Sequence, residues 1–157
     1  MSVTTRVSVV VPVYGCADTL TQLVGELVSE IESTGRSFEI VLVDDRSPDR
    51  TWDLIGSMAQ TDERIVGIRL SRNFRQHAAI LAGLHRSVGD KVVVIDCDLQ
   101  DPPNLIPSLL ESAEVSDIVY AVREQQVRGR LARLVVALYY SLFSLLSGLR
   151  APHRVGT

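Results

Sequence analysis

Val92-Val93-Val94-Ile95-Asp96-Cys97-Asp98-Leu99-Gln100-Asp101-Pro102-Pro103 decides how this chain is read. A β-branched apolar run passes directly into three acids and an amide. A run of that kind predicts a parallel strand buried on both faces. Acids at its exit then lie at the carboxyl edge of the sheet, where open α/β folds bind ligands. With the backbone extended, Asp96 and Asp98 share a face, because side chains alternate along a strand. The two carboxylates, with Gln100 next in line, offer hard oxygens to Mg2+ or Mn2+ and leave positions open for a diphosphate. Taken alone, the same acids also suit a capped turn, with Pro102 and Pro103 opening the next helix.

Working outward, apolar runs and helical stripes alternate. Val7–Val13 reads as the first strand, followed by a helix capped by Asp18 with Leu20, Leu23, Val24, Leu27, Val28 and Ile31 on one face and Gly35 closing it. Phe38–Val43 is the second strand, and Ser47-Pro48-Asp49 predicts a helix running to about Met58. Ile65–Leu70, then a helix over Gln76–Ser87, Lys91–Ile95, a helix over Asn104–Ala113 and a fifth strand over Ile118–Val122 complete the pattern. Strands alternating with helices in this way predict βαβ units with right-handed crossovers. The fold class is therefore α/β, a mostly parallel sheet flanked by helices.

At 157 residues the chain suits one domain, here residues 1–126 as the core. Its 46% apolar and 22% charged residues and net charge of −3 give no basic excess that would indicate nucleic acid. The charge is uneven, however. Arg123, Arg128, Arg130 and Arg133 precede an uncharged run from Leu134 to Leu149. Within 127–149, Leu131, Leu134, Leu138, Leu142 and Leu145 fall on one helical face, and the uncharged part is just short of the about 17–25 residues of a membrane span. This predicts a C-terminal amphipathic helix lying on a membrane surface, or packed on its own domain, with 150–157 as a tail. The N-terminus lacks a signal-like apolar segment ahead of the first strand. Cys16 and Cys97 are too few for a disulfide framework and match no zinc spacing, so a reducing compartment is expected.

A second acidic pair, Asp44-Asp45, closes strand two, on the sheet edge that also carries Asp96 and Asp98. Acids converging there need a cation or cationic neighbours, and one of them could accept hydrogen bonds from a nucleotide. His77, His85 and Trp52 read as solvent-facing or packing residues.

Four motifs in order then resemble a known family. Val9-Val10-Val11-Pro12-Val13-Tyr14, Val43-Asp44-Asp45-Arg46-Ser47-Pro48-Asp49-Arg50-Thr51, Leu70-Ser71-Arg72-Asn73-Phe74 and Asp96-Cys97-Asp98-Leu99-Gln100-Asp101-Pro102-Pro103 are similar to family 2 glycosyltransferases of the GT-A, Rossmann-like fold. The last two resemble the branch of dolichyl- and undecaprenyl-phosphate sugar transferases. The likeness covers about Val7 to Gly148.

What this resemblance implies can be stated residue by residue. Pro12, Tyr14, Val43, Asp44 and Asp45 would form the nucleotide pocket, with Asp45 on the base or ribose. Asp96, Cys97 and Asp98 would occupy the Asp-x-Asp place, with Asp98 and Gln100 on Mg2+ or Mn2+. Arg123 would contact the donor phosphates, and Arg130 the phosphate of a lipid acceptor. The implied reaction moves a sugar from a nucleoside-diphosphate sugar to a polyprenyl phosphate with inversion, at the cytoplasmic face of the membrane. Because the lipid phosphate is already anionic, a strong base is less needed than for a hydroxyl acceptor.

Gly15-Cys16 stand where the family often has Asn-Glu, and relatives continue beyond the point where this sequence reaches Thr157. The alternative reading is thus a truncated domain that binds nucleotide sugar without turnover. A haloacid-dehalogenase-like phosphatase would need Thr or Ser where Gln100 stands. A phosphoryl receiver would carry its acidic pair at the first strand, which here ends in Pro12-Val13-Tyr14.

Overall fold

The computed structural model describes residues 5–122. The chain divides into two compact units, Met1–Val119 and Tyr120–Thr157, and the first is the subject here. Its elements are β1 (Val7–Val13), α1 (Leu20–Ser33), β2 (Phe38–Asp44), α2 (Thr51–Thr61), β3 (Ile65–Arg69), α3 (Gln76–Arg86), β4 (Lys91–Val94), a 3-10 turn (Pro103–Leu105) and α4 (Ile106–Ser112). All four strands are parallel, in the order β3-β2-β1-β4. Val10 pairs with Val41 on one side and Val94 on the other, which makes β1 the centre of the sheet. After stepping outward through β2 and β3, the chain returns to the far side of β1. That reversal opens a crevice between the carboxyl ends of β1 and β4, the usual place for a ligand in an open α/β sheet.

Every residue of β1 and β2 is buried. On one face Val9, Val11 and Val13 pack with Leu20, Leu23, Leu27 and Ile31 of α1, Ile55 of α2 and Ile106 and Leu110 of α4. On the other face Val10, Val41 and Val43 pack against Ala79 of α3. The α1 stripe is the one its spacing predicts, and Gly35, at φ 67°, follows its C-terminus. At the opposite end of the sheet, buried Glu39 accepts hydrogen bonds from the Ser8 hydroxyl at 2.7 Å and the Val88 N–H at 2.8 Å.

Close approach of α3 to the sheet depends on Gly83. A Cβ there would collide with the Val10 side chain. Gly83→Ala should therefore lower stability by about 1–3 kcal/mol, the usual cost of overpacking a filled core. Thermal unfolding checks this, and an unchanged midpoint would show that α3 can ride off the sheet freely.

Four elements depart from the sequence reading. At the start of α1 the N-cap is Thr19, with no side-chain cap, where the sequence pattern predicts Asp18. β4 alternates between half-buried and exposed positions, with Val92 and Val94 42% and 44% exposed. It is an edge strand whose apolar residues meet neighbours on one face only, among the described residues; burial on both faces belongs to β1 and β2. Residues 118–122 carry no strand pairing. A short apolar run without a neighbouring ladder has nothing to make it a strand. Finally α2 begins at Thr51: Ser47 Oγ accepts the Gly15 N–H, while Asp49 gives one carboxylate oxygen to the Ala17 N–H and the other to the Thr51 N–H at the helix start. The segment 127–149, the tail 150–157, Arg123 and Arg130 lie outside the described residues. Among the described residues no helix is long and apolar enough to cross a membrane.

Candidate functional site

Each strand delivers a loop to the crevice. After β1, Tyr14 stands half-exposed and Gly15 takes φ 66°, a left-handed turn that glycine adopts without strain. The Gly15 N–H donates to Ser47 Oγ at 3.0 Å and the Ala17 N–H to Asp49 Oδ2 at 3.3 Å, so this loop is tied to the one after β2. Hydrogen bonding from Thr51, with the Ala17 N–H adding to it, holds the Asp49 carboxyl below the usual carboxylate range.

The two acids after β2 have different jobs. Asp44 is fully buried: Oδ1 accepts the Ser47 N–H at 2.9 Å and Oδ2 pairs with Arg69 Nε at 3.0 Å. Asp45 faces the crevice. Its Oδ1 and Oδ2 accept the backbone N–H groups of Phe74 and Arg75, both at 2.7 Å. This two-armed grip holds the loop after β3, in which Arg75 sits at φ 74°. Left-handed backbone at a non-glycine residue survives only where the surroundings enforce it, and it gathers at functional sites. Arg46 at φ 63° and Leu99 at φ 61° are the other non-glycine cases among the described residues, and both lie in loops at this same sheet edge.

Beyond β4 the chain turns instead of staying extended, so Asp96 and Asp98 are not related by simple strand alternation. Asp96 Oδ1 accepts the Gln76 side-chain amide at 2.6 Å, and Asp98 Oδ1 accepts the Gln100 N–H at 3.0 Å. The Thr19 hydroxyl donates to the Cys97 carbonyl at 2.7 Å. Cys97 is joined to Cys16 in a disulfide with Cα atoms 6.3 Å apart. Counting cysteines hid this bond: two make no framework, yet β1 and β4 bring these two together across a separation of 81 residues.

Between the loops lies a cavity of about 250 Å3 lined by Pro12, Val13, Tyr14, Cys16, Asp45, Gln76, Asp96, Cys97 and Asp98. Of the residues singled out in the sequence, Pro12, Tyr14, Asp45, Asp96, Cys97 and Asp98 meet here. Val43 instead packs in the core beside Ala79, and Asp44 lies beneath the surface. Gln100 is on the loop but is not part of the cavity wall. Val13, Cys16 and Gln76 are the lining residues that sequence reasoning missed; Gln76 follows directly on the Leu70–Phe74 motif and its neighbour Arg75. His77 and His85 are solvent-facing, while Trp52 packs over β3, with Arg69 stacked on its ring at 5.4 Å.

Three carboxylates facing one crevice make it a place for a cation or for hydrogen-bond donors of a ligand. Among the described residues no three His, Cys, Asp or Glu side chains assemble into a metal-binding group. The donor set still fits Mg2+ or Mn2+ chemistry, because Mg2+ is commonly held by one or two carboxylates with substrate phosphates and water completing the shell. Asp96 and Asp98 are the groups placed to supply those carboxylates.

Residues 8–143 match the family model described as glycosyl transferase family 2. The chain belongs to that family. It is 41% identical over 138 residues to the undecaprenyl-phosphate 4-deoxy-4-formamido-L-arabinose transferase of Edwardsiella ictaluri, covering 84% of this chain and 42% of that one. The Pseudomonas paraeruginosa transferase of the same name is 46% identical over 122 residues, covering 76% of this chain and 36% of its own. The chain thus spans about two fifths of the length of the curated relatives it matches.

Among solved structures, mannosyl-3-phosphoglycerate synthase from Rubrobacter xylanophilus superposes with a TM-score of 0.64 at 24% identity, over 93% of this chain and 50% of that one. The mannosyltransferase PcManGT from Pyrobaculum calidifontis, in complex with GDP-Man and Mn2+, gives 0.53 at 22% identity, over 64% and 34%. These likenesses place the fold among GT-A glycosyltransferases.

Proposed function

We propose that this chain carries the donor-binding part of a family 2 glycosyltransferase that moves a sugar from a nucleoside-diphosphate sugar to a polyprenyl phosphate. The observation that carries this reading is the acid-lined cavity at the switch point between β1 and β4, in a chain whose relatives are named undecaprenyl-phosphate sugar transferases. Asp45 holds the Phe74–Arg75 loop against the cavity and presents the polar wall for the base or ribose. Asp96 and Asp98 would hold a divalent cation that supplies positive charge toward the diphosphate, with Gln76 fixing Asp96 in place. The cation, when bound, neutralises charge on the departing nucleoside diphosphate. Pro12, Val13 and Tyr14 form the apolar side of the cavity.

The acceptor oxygen is a phosphate anion, which attacks the anomeric carbon from the side opposite the leaving group and inverts it. Arg123 belongs with the donor phosphates and Arg130 with the lipid phosphate in this scheme. The leucine-rich segment 127–149 supplies the contact with the inner face of the membrane. The names of the relatives put a nucleoside-diphosphate 4-deoxy-4-formamido-L-arabinose first among donors to be tried.

The test is calorimetry of nucleoside-diphosphate sugars against the chain with Mn2+ and with chelator, followed by turnover with undecaprenyl phosphate. Donor binding that disappears with chelator, and a lipid-linked sugar product, are expected. Equal affinity in both solutions removes the cation from the scheme. Donor binding with no product from this chain assigns it as a binding domain instead.

A further inference from the structure

We propose that Cys16–Cys97 is a reversible redox modification site that locks the donor cavity. Both cysteines line that cavity, and Cys97 stands between Asp96 and Asp98. The bond joins the loops after β1 and β4, the neighbouring parallel strands on either side of the crevice. Their Cα separation of 6.3 Å is within the range that disulfides span. The paired strands set that separation, so two thiols formed by reduction stay near enough to close again.

The bridge has a consequence for the acids beside it. In the bonded form Asp96 is taken by the Gln76 amide and Asp98 by the Gln100 N–H. The Cys97 carbonyl is anchored by Thr19, and Leu99 is held at φ 61°. The Cys97 backbone is the link between the two carboxylates, so its freedom to turn sets how closely they can gather around one cation. A covalent tie through its side chain opposes that turn. The oxidised form is therefore the weak binder of a divalent cation, and the reduced form the strong one.

Accessibility sets the order of events. Cys97 is 8% exposed and Cys16 more so. A small thiolate attacks Cys16 Sγ, the Cys16–Cys97 bond breaks, and Cys97 leaves as a thiolate that takes up a proton. A second small thiol then attacks the mixed disulfide on Cys16 and releases it. The balance is one protein disulfide and two small thiols giving two protein thiols and one small-molecule disulfide. Closing is the reverse, with a small-molecule disulfide such as oxidised glutathione as the oxidant. In a reducing compartment the resting state is the open dithiol, and an oxidising episode weakens cation binding in the cavity.

The inference rests on the proposed function only for what the cavity holds, and its test is independent of sugar transfer. The full chain is equilibrated in mixtures of reduced and oxidised glutathione, quenched by alkylation and weighed by mass spectrometry, with circular dichroism to show that it stays folded. The bridge should open and close with the mixture while the fold is kept. Free Mn2+, counted by electron paramagnetic resonance, should report binding about tenfold tighter to the reduced form, within the usual scale of coupling between two sites. Cys16→Ala, which cannot form the bridge, should bind Mn2+ like the reduced chain and show no internal disulfide in any glutathione mixture. Hydrogen exchange of the unsubstituted chain needs no variant: residues 96–101 should exchange faster after reduction.

A bridge that opens only when the protein unfolds overturns the proposal. So does Mn2+ affinity that is the same in both forms, or exchange of residues 96–101 that ignores reduction. A chain whose Mn2+ affinity follows its redox state yet transfers no sugar keeps this inference and loses the functional one.

Discussion

Asp98→Asn should lower Mn2+-dependent donor affinity by about 10–100-fold while leaving the fold intact. The substitution keeps the side-chain shape and an oxygen for the Gln100 N–H, but removes the charge that a cation needs. Every 1.4 kcal/mol is tenfold in a binding constant, so this range corresponds to about 1.4–2.8 kcal/mol for the loss of one charge at the cation. Asp98 is exposed in the cavity wall, so no buried packing is disturbed and the melting temperature should hold. Gln76→Ala should act more mildly. It frees Asp96 to swing but leaves its charge, so a loss nearer tenfold is expected, the lower end for groups that orient a ligand. Calorimetry with a nucleoside diphosphate in Mn2+ measures both. An Asp98→Asn protein that binds as tightly as its parent would take Asp98 out of the cation site.

The adjacent acids Asp44 and Asp45 should fail in opposite ways. Asp44→Ala removes the buried partner of Arg69 and the acceptor of the Ser47 N–H. Breaking a buried pair by deleting one member costs about 3 kcal/mol. For a chain of this size that is a fall of roughly 10 °C in melting temperature. Asp45→Ala removes the acceptor for the Phe74 and Arg75 N–H groups, at the cavity wall. Its loop should loosen, and donor affinity should drop more than in Asp44→Ala measured at a temperature where both are folded. Arg75, at φ 74°, keeps only the longer bond of its N–H to Asn73 Oδ1, at 3.1 Å, once the carboxylate is gone. If Asp44→Ala binds donor worse than Asp45→Ala under those conditions, the nucleotide wall has been placed on the wrong residue.

Sequence by itself determined much of this architecture, because the relevant signals are local. The α1 stripe from Leu20 to Ile31 repeats at helical spacing, and the apolar runs of β1 and β2 match strands that are buried throughout. The motifs at the strand ends were enough to place Asp45, Asp96 and Asp98 at one edge and to identify the family.

What only the tertiary structure decided are relations between distant positions. Val92-Val93-Val94 looks as deeply buried as Val9-Val10-Val11, yet among the described residues β4 pairs on one side only and β1 on both. Strand order is not written in hydrophobicity. Asp44 and Asp45 are adjacent and chemically identical, but the alternation of a strand turns one into the core and the other to the crevice. Ser47 looks like a helix cap until the loop after β1 arrives to take its oxygen, and Asp49 divides its carboxylate between that loop and the Thr51 N–H. Gln76 meets Asp96, and Cys16 meets Cys97, only because the reversal of strand order sets β4 beside β1. Periodicity records what a residue does along its own element; a contact across the sheet edge leaves no mark in either stretch of sequence that makes it.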